Sequence, residues 1–371
     1  MKENINDYEQ EEIRVVKTHE ETDKKCPSCG GTMDYDPATE GLLCPYCGNT
    51  KEILHASTED SVAREKDFLS EQEALSYDWG VDKKTVICKS CGGESIYDAL
   101  QSSDVCPYCG SNQVMEEENI DTIPPGGVCP FVVTSTEAGN RFFSWIKKKL
   151  FCPSKAKKSA KPDAFKGVYI PYWTFDSDTD SFYTARYGID RTYTDSKGNT
   201  RTVTDWYTTS GSYDRFINDQ LVCASKRYNF SILRSIEPYD TENNKKYKPE
   251  YLAGFISERY SIGLQDGWRI AQEYIERTLN SEISSKIRRE TNADHVSNLN
   301  FSTEYDNIKY KHLLLPVWLS SFKYKSKIFQ FMVNGETGKV GGKTPVSALR
   351  VAIAVLLGVA VVGAILYFYM H

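Results

Sequence analysis

The sequence predicts an α+β protein: two small cysteine-held ribbons at the N-terminus, a central mixed α+β domain with antiparallel hairpins, and one C-terminal transmembrane helix. Three observations predict it. A CxxC…CxxC unit occurs twice, Tyr/Thr/Val-rich alternating runs interleave with helical patterns in the middle, and the last twenty residues before the terminal histidine carry no charge. A chain of 371 residues with 26% charged and 12% aromatic residues is long and varied enough to build a real core.

The opening stretch, MKENINDYEQEEIRVVKTHEET, has no apolar central run, so the sequence predicts a flexible acidic segment over 1–23 that stays in the cytosol. Charge is distributed unevenly. Residues 1–121 hold 11 Lys+Arg against 27 Asp+Glu, a balance of -16, whereas residues 122–371 hold 34 against 24, or +10.

The repeat is KKCPSCGGTMDYDPATEGLLCPYCGNT followed by VICKSCGGESIYDALQSSDVCPYCGSN, each cysteine of the first recurring 62 residues later. Cys26, Cys29, Cys44 and Cys47 form one set, and Cys88, Cys91, Cys106 and Cys109 the other. In a chain without an export signal, paired CxxC cysteines are metal ligands rather than a disulfide framework. Four thiolates suit tetrahedral Zn2+, so two structural zinc ions are expected, in ribbons over 24–50 and 85–115. All-cysteine ligation leaves no open position for water, which points to shape rather than catalysis. Gly30, Gly48, Gly92 and Gly110 follow the second cysteine of each pair, where a tight turn is needed.

Between the copies, 51–84 reads as a helical linker, with a Pro- and Gly-free helix at 58–77. A Pro/Gly-rich joint covers 116–133, and the α+β domain runs over 134–345. Within it, Thr134 and Glu137 have capping-box spacing ahead of an amphipathic helix at 134–150. A hairpin turns at SKGN (196–199), a long helix spans 266–289, and two strands, LLLPVWLSSFKY and SKIFQFMVNGETGKV, meet at a tight turn. The final helix, 348–370, is long enough at about 1.5 Å per residue to span the roughly 30 Å hydrocarbon layer. Arg350, Lys343 and Lys339 precede it and only His371 follows, which predicts a single-pass anchor in the cell membrane with the N-terminus and bulk of the chain in the cytoplasm.

An arm at -16, with zinc-tetrathiolate centres adding about two negative charges each, repels phosphate, so nucleic acid is a poor partner for the ribbons. A protein partner suits them better, with Tyr46 and Tyr108 either exposed as contacts or packed inside each ribbon. Positive charge gathers in 141–166, where nine Lys and Arg face only Asp163. That patch reads as a contact for anionic lipid, as a nucleic-acid patch, or as a solvated loop. A membrane-tethered nucleic-acid-binding protein in replication or transcription is therefore the alternative to an adaptor that recruits cytosolic or membrane-associated proteins.

Signals for an enzyme are weak. GKVGGKT at 338–344 encloses three residues where a phosphate-binding loop needs four, and no helix follows it directly. There is no HExxH pair and no GxSxG elbow. Cys129, Cys152 and Cys223 read as small buried residues; a deep pocket with convergent polar groups around Trp173, Asp176 or Trp318 would mark an enzyme, and otherwise the two tryptophans read as core.

Beyond the cysteines, YIPYWTFD (169–176), YLAGF (251–255), LPVW (315–318) and VNGETGK (333–339), with the terminal hydrophobic helix, resemble the YdjG-like bacterial zinc-ribbon membrane proteins. That group carries labels such as transcription-factor-IIB-type zinc-binding or replication-restart-helicase-like. The resemblance covers nearly the whole chain from Cys26. It implies a membrane-bound, partner-recruiting role in membrane stress, whereas the helicase label finds no P-loop or ATPase domain in these residues.

Overall fold

In the computed structural model, which describes residues 14–17, 25–54, 61–71, 83–87, 94–98, 101–105, 112–114, 123–160, 165–194, 198 and 200–370, three long strands carry the architecture. They are β1 (Lys166–Thr194), β2 (Thr200–Cys223) and β3 (His295–Tyr324). β1 lies in the middle, antiparallel to both neighbours, with Thr194 opposite Thr200 and Lys166 opposite Leu319. The predicted hairpin is thus present, its two strands paired up to Thr194 and Thr200. A fourth strand, β4 (Lys327–Asn334), folds back on β3 through a tight turn in which Lys325 has φ 55°.

Burial differs along these strands because their sequences differ. From Val168 to Ser177 every residue of β1 is buried, as is His312 to Trp318 of β3, so this part of the sheet is covered on both faces. Beyond Asp178 burial alternates: Thr179, Ser181, Tyr183 and Ala185 face inward while Asp178, Asp180, Phe182 and Thr184 face out.

Helices supply the cover. α1 (Ser135–Lys148) starts with the full capping box, Thr134 Oγ1 accepting from the Glu137 N–H at 3.2 Å and Glu137 Oε2 from the Thr134 N–H at 2.9 Å. Its Phe142 stacks on Phe331 of β4 at 3.9 Å between centroids. α2 (Ser154–Ser159) follows it, and α3 (Phe230–Ile236) presses Ile232, Leu233 and Ile236 on the opposite face of the doubly buried part. α4 (Leu264–Thr291) lies along the outer half of the strands, burying Ile275, Leu279, Ile283 and Ile287, each worth about 1.5–3 kcal/mol relative to exposure. Asn292 ends it in the left-handed conformation (φ 51°).

α5 (Ala348–Met370) is, among the described residues, the one helix long and apolar enough to cross a membrane, and none of its apolar window is buried. It matches the predicted span. Its first turn is tied back to the domain: the Ser347 N–H donates to Phe151 O at 2.9 Å, and Arg350 Nη1 donates to Leu150 O and Cys152 O at 2.8 Å each.

Three expectations need correction. Within the predicted 58–77 helix, the described residues 61–71 form instead a two-residue strand (Lys66–Asp67) on β3 and a 3-10 turn at Leu69–Glu71. Phe68 decides it: its ring is buried against Phe175 and Trp268 and its N–H donates to Ile308 O at 3.1 Å, a bond across to β3 that an N–H committed to the carbonyl four residues back in a helix could not make. The 116–133 segment is more than a joint, since Gly127–Val128 enters the central sheet between β3 and Lys245–Lys246. In the N-terminal segment predicted to be flexible, Arg14–Lys17 pairs in parallel with Lys83–Ile87, satisfying backbone groups that an isolated segment would leave to water.

Candidate metal centre

Residues 25–54 form a three-stranded sheet of Asp34–Asp36, Gly41–Leu43 and Thr50–Lys51, with the two CxxC turns at one end. The turns repeat one geometry. Cys26 N–H donates to Gly31 O at 2.7 Å and Gly30 N–H to Cys26 O at 2.8 Å, while Cys44 N–H donates to Asn49 O at 2.8 Å and Gly48 N–H to Cys44 O at 2.9 Å. Gly30 and Gly48 have φ of 73° and 75°, a conformation that a side chain would strain.

These turns gather Cys26, Cys29, Cys44 and Cys47 so that all four sulfurs lie within 4.8 Å of one another. Cys26 Sγ is 3.5 Å from Cys47 Sγ, and Cys29 Sγ is 3.5 Å from Cys44 Sγ. A tetrahedral zinc with Zn–S of about 2.3 Å needs sulfur–sulfur edges of about 3.8 Å, so the residues fit such an ion. Burial alone would raise the Cys26 thiol, but the Ser28 and Cys29 N–H groups and the neighbouring thiols hold it down to about 6. The Asn49 N–H favours a thiolate at Cys47, yet Cys26 and Cys29 push that thiol up to about 12. Four such sulfurs ionise together only around a cation.

The unit is fastened to the α+β domain rather than hung from it. Met33, Tyr35 and Leu42 are buried in the same cluster as Phe131, Tyr169, Phe255 and Trp318. Tyr35 donates its hydroxyl to Phe131 O at 3.3 Å and its N–H to Ala253 O at 3.1 Å. Tyr46 is 78% exposed, so of the two places open to it the side chain takes the surface. A cleft of about 490 Å³ runs along this junction, walled by Asp34, Asp36 and Asp104 and floored by Phe255 and Trp318.

Cys88, Cys91, Cys106, Cys109 and Tyr108 lie outside the described residues. The strands on either side of them are described: Lys83–Ile87 pairs with Glu94–Asp98, and Gln101–Val105 with Asn112–Val114. Each pair encloses one CxxC. The second pair of strands is joined to the domain through Ser103, which is buried, donates its hydroxyl to Phe255 O at 2.9 Å and lies 2.8 Å from Ser257 Oγ.

The remaining sequence candidates fall into the core. Cys129, Cys152 and Cys223 are buried, and burial raises all three thiols. Trp173 is fully buried and donates to Ile262 O at 2.8 Å, and Trp318 donates to Val133 O at 2.8 Å. In GKVGGKT, Val340–Gly342 is an edge strand on β4, not a phosphate loop.

Asp176 belongs to a charged cluster that sequence reasoning missed. It sits at a break in strand register, accepts the Asp219 N–H at 2.6 Å, and is pushed up to about 6 by burial and by the charges of Glu65 and Asp219. Lys311 Nζ reaches Asp219 Oδ1 at 2.7 Å with both side chains buried, and Lys309 reaches Glu65 at 3.2 Å. No local motif announces a group held by bonds between residues 43 and 244 positions apart. His312 is buried nearby, with Nδ1 3.0 Å from Ile123 O, and burial lowers it to about 4. Since a carbonyl only accepts, the proton is on Nδ1; Nε2 has no hydrogen-bond partner among the described residues, and the imidazole packs against the Trp173 and Tyr260 rings.

Likeness to a known protein extends over most of the molecule. The chain is 30% identical over 335 residues to the uncharacterized protein YdjG of Bacillus subtilis (strain 168), covering 88% of this chain and 91% of YdjG. No protein-family model matches the sequence, and no solved structure matches it.

Proposed function

Because this chain belongs to the YdjG family, we propose that it is a membrane-anchored zinc-ribbon adaptor, holding two structural Zn2+ ions and recruiting cytosolic or membrane-associated proteins to the cell membrane, with membrane stress as its setting. The observation that carries the reading is the Cys26/Cys29/Cys44/Cys47 cluster. Four thiolates fill a zinc coordination sphere and leave no position for substrate, so the ion shapes a surface and does no chemistry. That surface is acidic, presents Tyr46, and is fixed to the domain through Tyr35. A fixed surface loses little freedom on binding, which favours recognition.

α5 supports the other half of the reading. A helix that is uncharged from Val351 onward and has none of its apolar window buried is stable in hydrocarbon and costly in water. A single pass with the bulk in the cytoplasm follows from Arg350, Lys343 and Lys339 on its N-terminal side. On this reading the protein is not an enzyme.

The test uses the full chain solubilised in detergent, as purified and as the Cys26→Ser/Cys29→Ser variant. The reading expects two zinc ions per chain in the first and partner proteins captured from cytosolic extract, with capture lost in the variant. Equal capture by both proteins would refute a recruiting role for the metal unit.

A further inference from the structure

We propose that the corner between α1 and α2 is a second membrane contact, inserting Leu150 and Phe151 at the bilayer surface and placing the surrounding lysines on anionic lipid headgroups. The proposal rests on the reading of α5 as a membrane span.

The geometry begins with Arg350. It is the last charged residue before the apolar run, so in a spanning helix it lies at the headgroup level. Its guanidinium does not reach for lipid but closes on the corner, donating to Leu150 O and Cys152 O at 2.8 Å each and to Ser154 Oγ. The Ser347 N–H adds a bond to Phe151 O at 2.9 Å. Four hydrogen bonds therefore tie the entry point of the span to residues 150–154, and whatever depth Arg350 takes, the corner takes within a few ångströms.

The side chains at that depth suit it. Leu150 is 78% exposed and Phe151 44%, with Val346 at 66% and Leu349 at 71% beside them on the α5 side. In water these four would form an unexplained apolar patch, whereas at the acyl boundary they are satisfied. Around them Lys147, Lys148, Lys149 and Lys158 are exposed, and no acidic residue occurs from Arg141 to Lys161. Lys149 lies over the Trp145 ring at 4.6 Å, and Lys157 donates to Lys147 O at 2.7 Å, so the lysine-bearing segments brace each other. A rim of cations around an apolar tip is the arrangement that anionic interfaces attract, and it assigns the basic run of 141–166 to lipid rather than to nucleic acid.

The experiment places a photoreactive phenylalanine analogue at position 151 of the full chain, with a second full-length variant probing position 357 inside α5 and a third probing position 193 near the far hairpin. Each is reconstituted into vesicles of phosphatidylcholine alone or of equal parts phosphatidylcholine and phosphatidylserine, and lipid adducts are read by mass. Adducts at 151 and 357 but not 193 are expected, with the yield at 151 raised at least about fivefold by phosphatidylserine and that gain removed by Lys147→Gln/Lys148→Gln/Lys158→Gln or by high salt. Adducts at 357 without any at 151 would overturn the proposal while leaving the anchor intact. Adducts at neither position would bring down the anchor reading and the proposal together. Crosslinking at 151 to an added oligonucleotide in preference to lipid would also overturn it.

Discussion

The metal unit of residues 25–54 and the outer half of the long sheet under α4 hold their shapes by different means. The first has three short strands and buries Met33, Tyr35 and Leu42, mostly against the neighbouring domain. The second buries Leu279, Ile283, Ile287, Tyr183 and Ala185 within itself. Thirty residues cannot enclose enough apolar surface to offset the entropy of ordering them, so on the proposed reading coordination makes up the difference, while a 28-residue helix on three strands needs no ion. Stability in this chain is therefore local in origin, and the two regions should respond to different insults.

The largest effect should come from removing metal. Zinc binding at such sites is worth an apparent 10–16 kcal/mol, so a strong chelator, or Cys44→Ser, should drop the amides of residues 41–43 to nearly free hydrogen exchange and leave those of α4 unchanged. Protection that persists at 41–43 without metal would erase the contrast. Next, Leu279→Ala removes a fully buried side chain from α4 and should cost about 3 kcal/mol in denaturant unfolding, with zinc content unaltered. Loss of zinc in that variant would mean that the two regions fold as one.

A comparable effect is expected from His312, which is neutral and buried where α4 and the doubly covered part of the sheet meet. Its folded value of about 4 lies below the ordinary 6.5, so the unfolded chain binds the proton more readily between those limits. Its contribution is fully present above pH 6.5 and is lost as pH falls toward 4, by roughly 3 kcal/mol in all. Unfolding measured across that window should slope downward with acid, and His312→Gln should flatten the slope. The smallest effect belongs to the joint between the regions: Tyr35→Phe removes the bond to Phe131 O and should loosen residues 34–36 by about 1 kcal/mol, visible in amide exchange there and absent from α4.

What the sequence made legible was local. CxxC spacing placed Cys26, Cys29, Cys44 and Cys47 in one cluster, Thr134 and Glu137 marked the start of α1 to the residue, and the charge-free run gave all of α5 beyond Arg350. The 58–77 helix misled because helical composition there competes with a distant demand, the pocket between Phe175 and Trp268 that takes Phe68. Likewise Arg350 meets Leu150 across 200 residues, and Lys309 meets Glu65 across 244, with no spacing rule to connect them. The basic run was visible as composition, but its place beside the start of α5 needed the Arg350 contacts.

The unusual length of β1 has a further consequence. It starts at Lys166, just after Phe165 packs on Gly139 of α1, and does not turn until Thr194; at about 3.3 Å per residue its 29 residues reach up to about 90 Å. One end of this strand packs against α1, and the other presents Tyr193 to solvent, with Trp206 and Tyr207 exposed farther back on the returning strand, opposite Gly188 and Tyr187. The strand's length therefore sets how far the hairpin end stands from the end packed against α1.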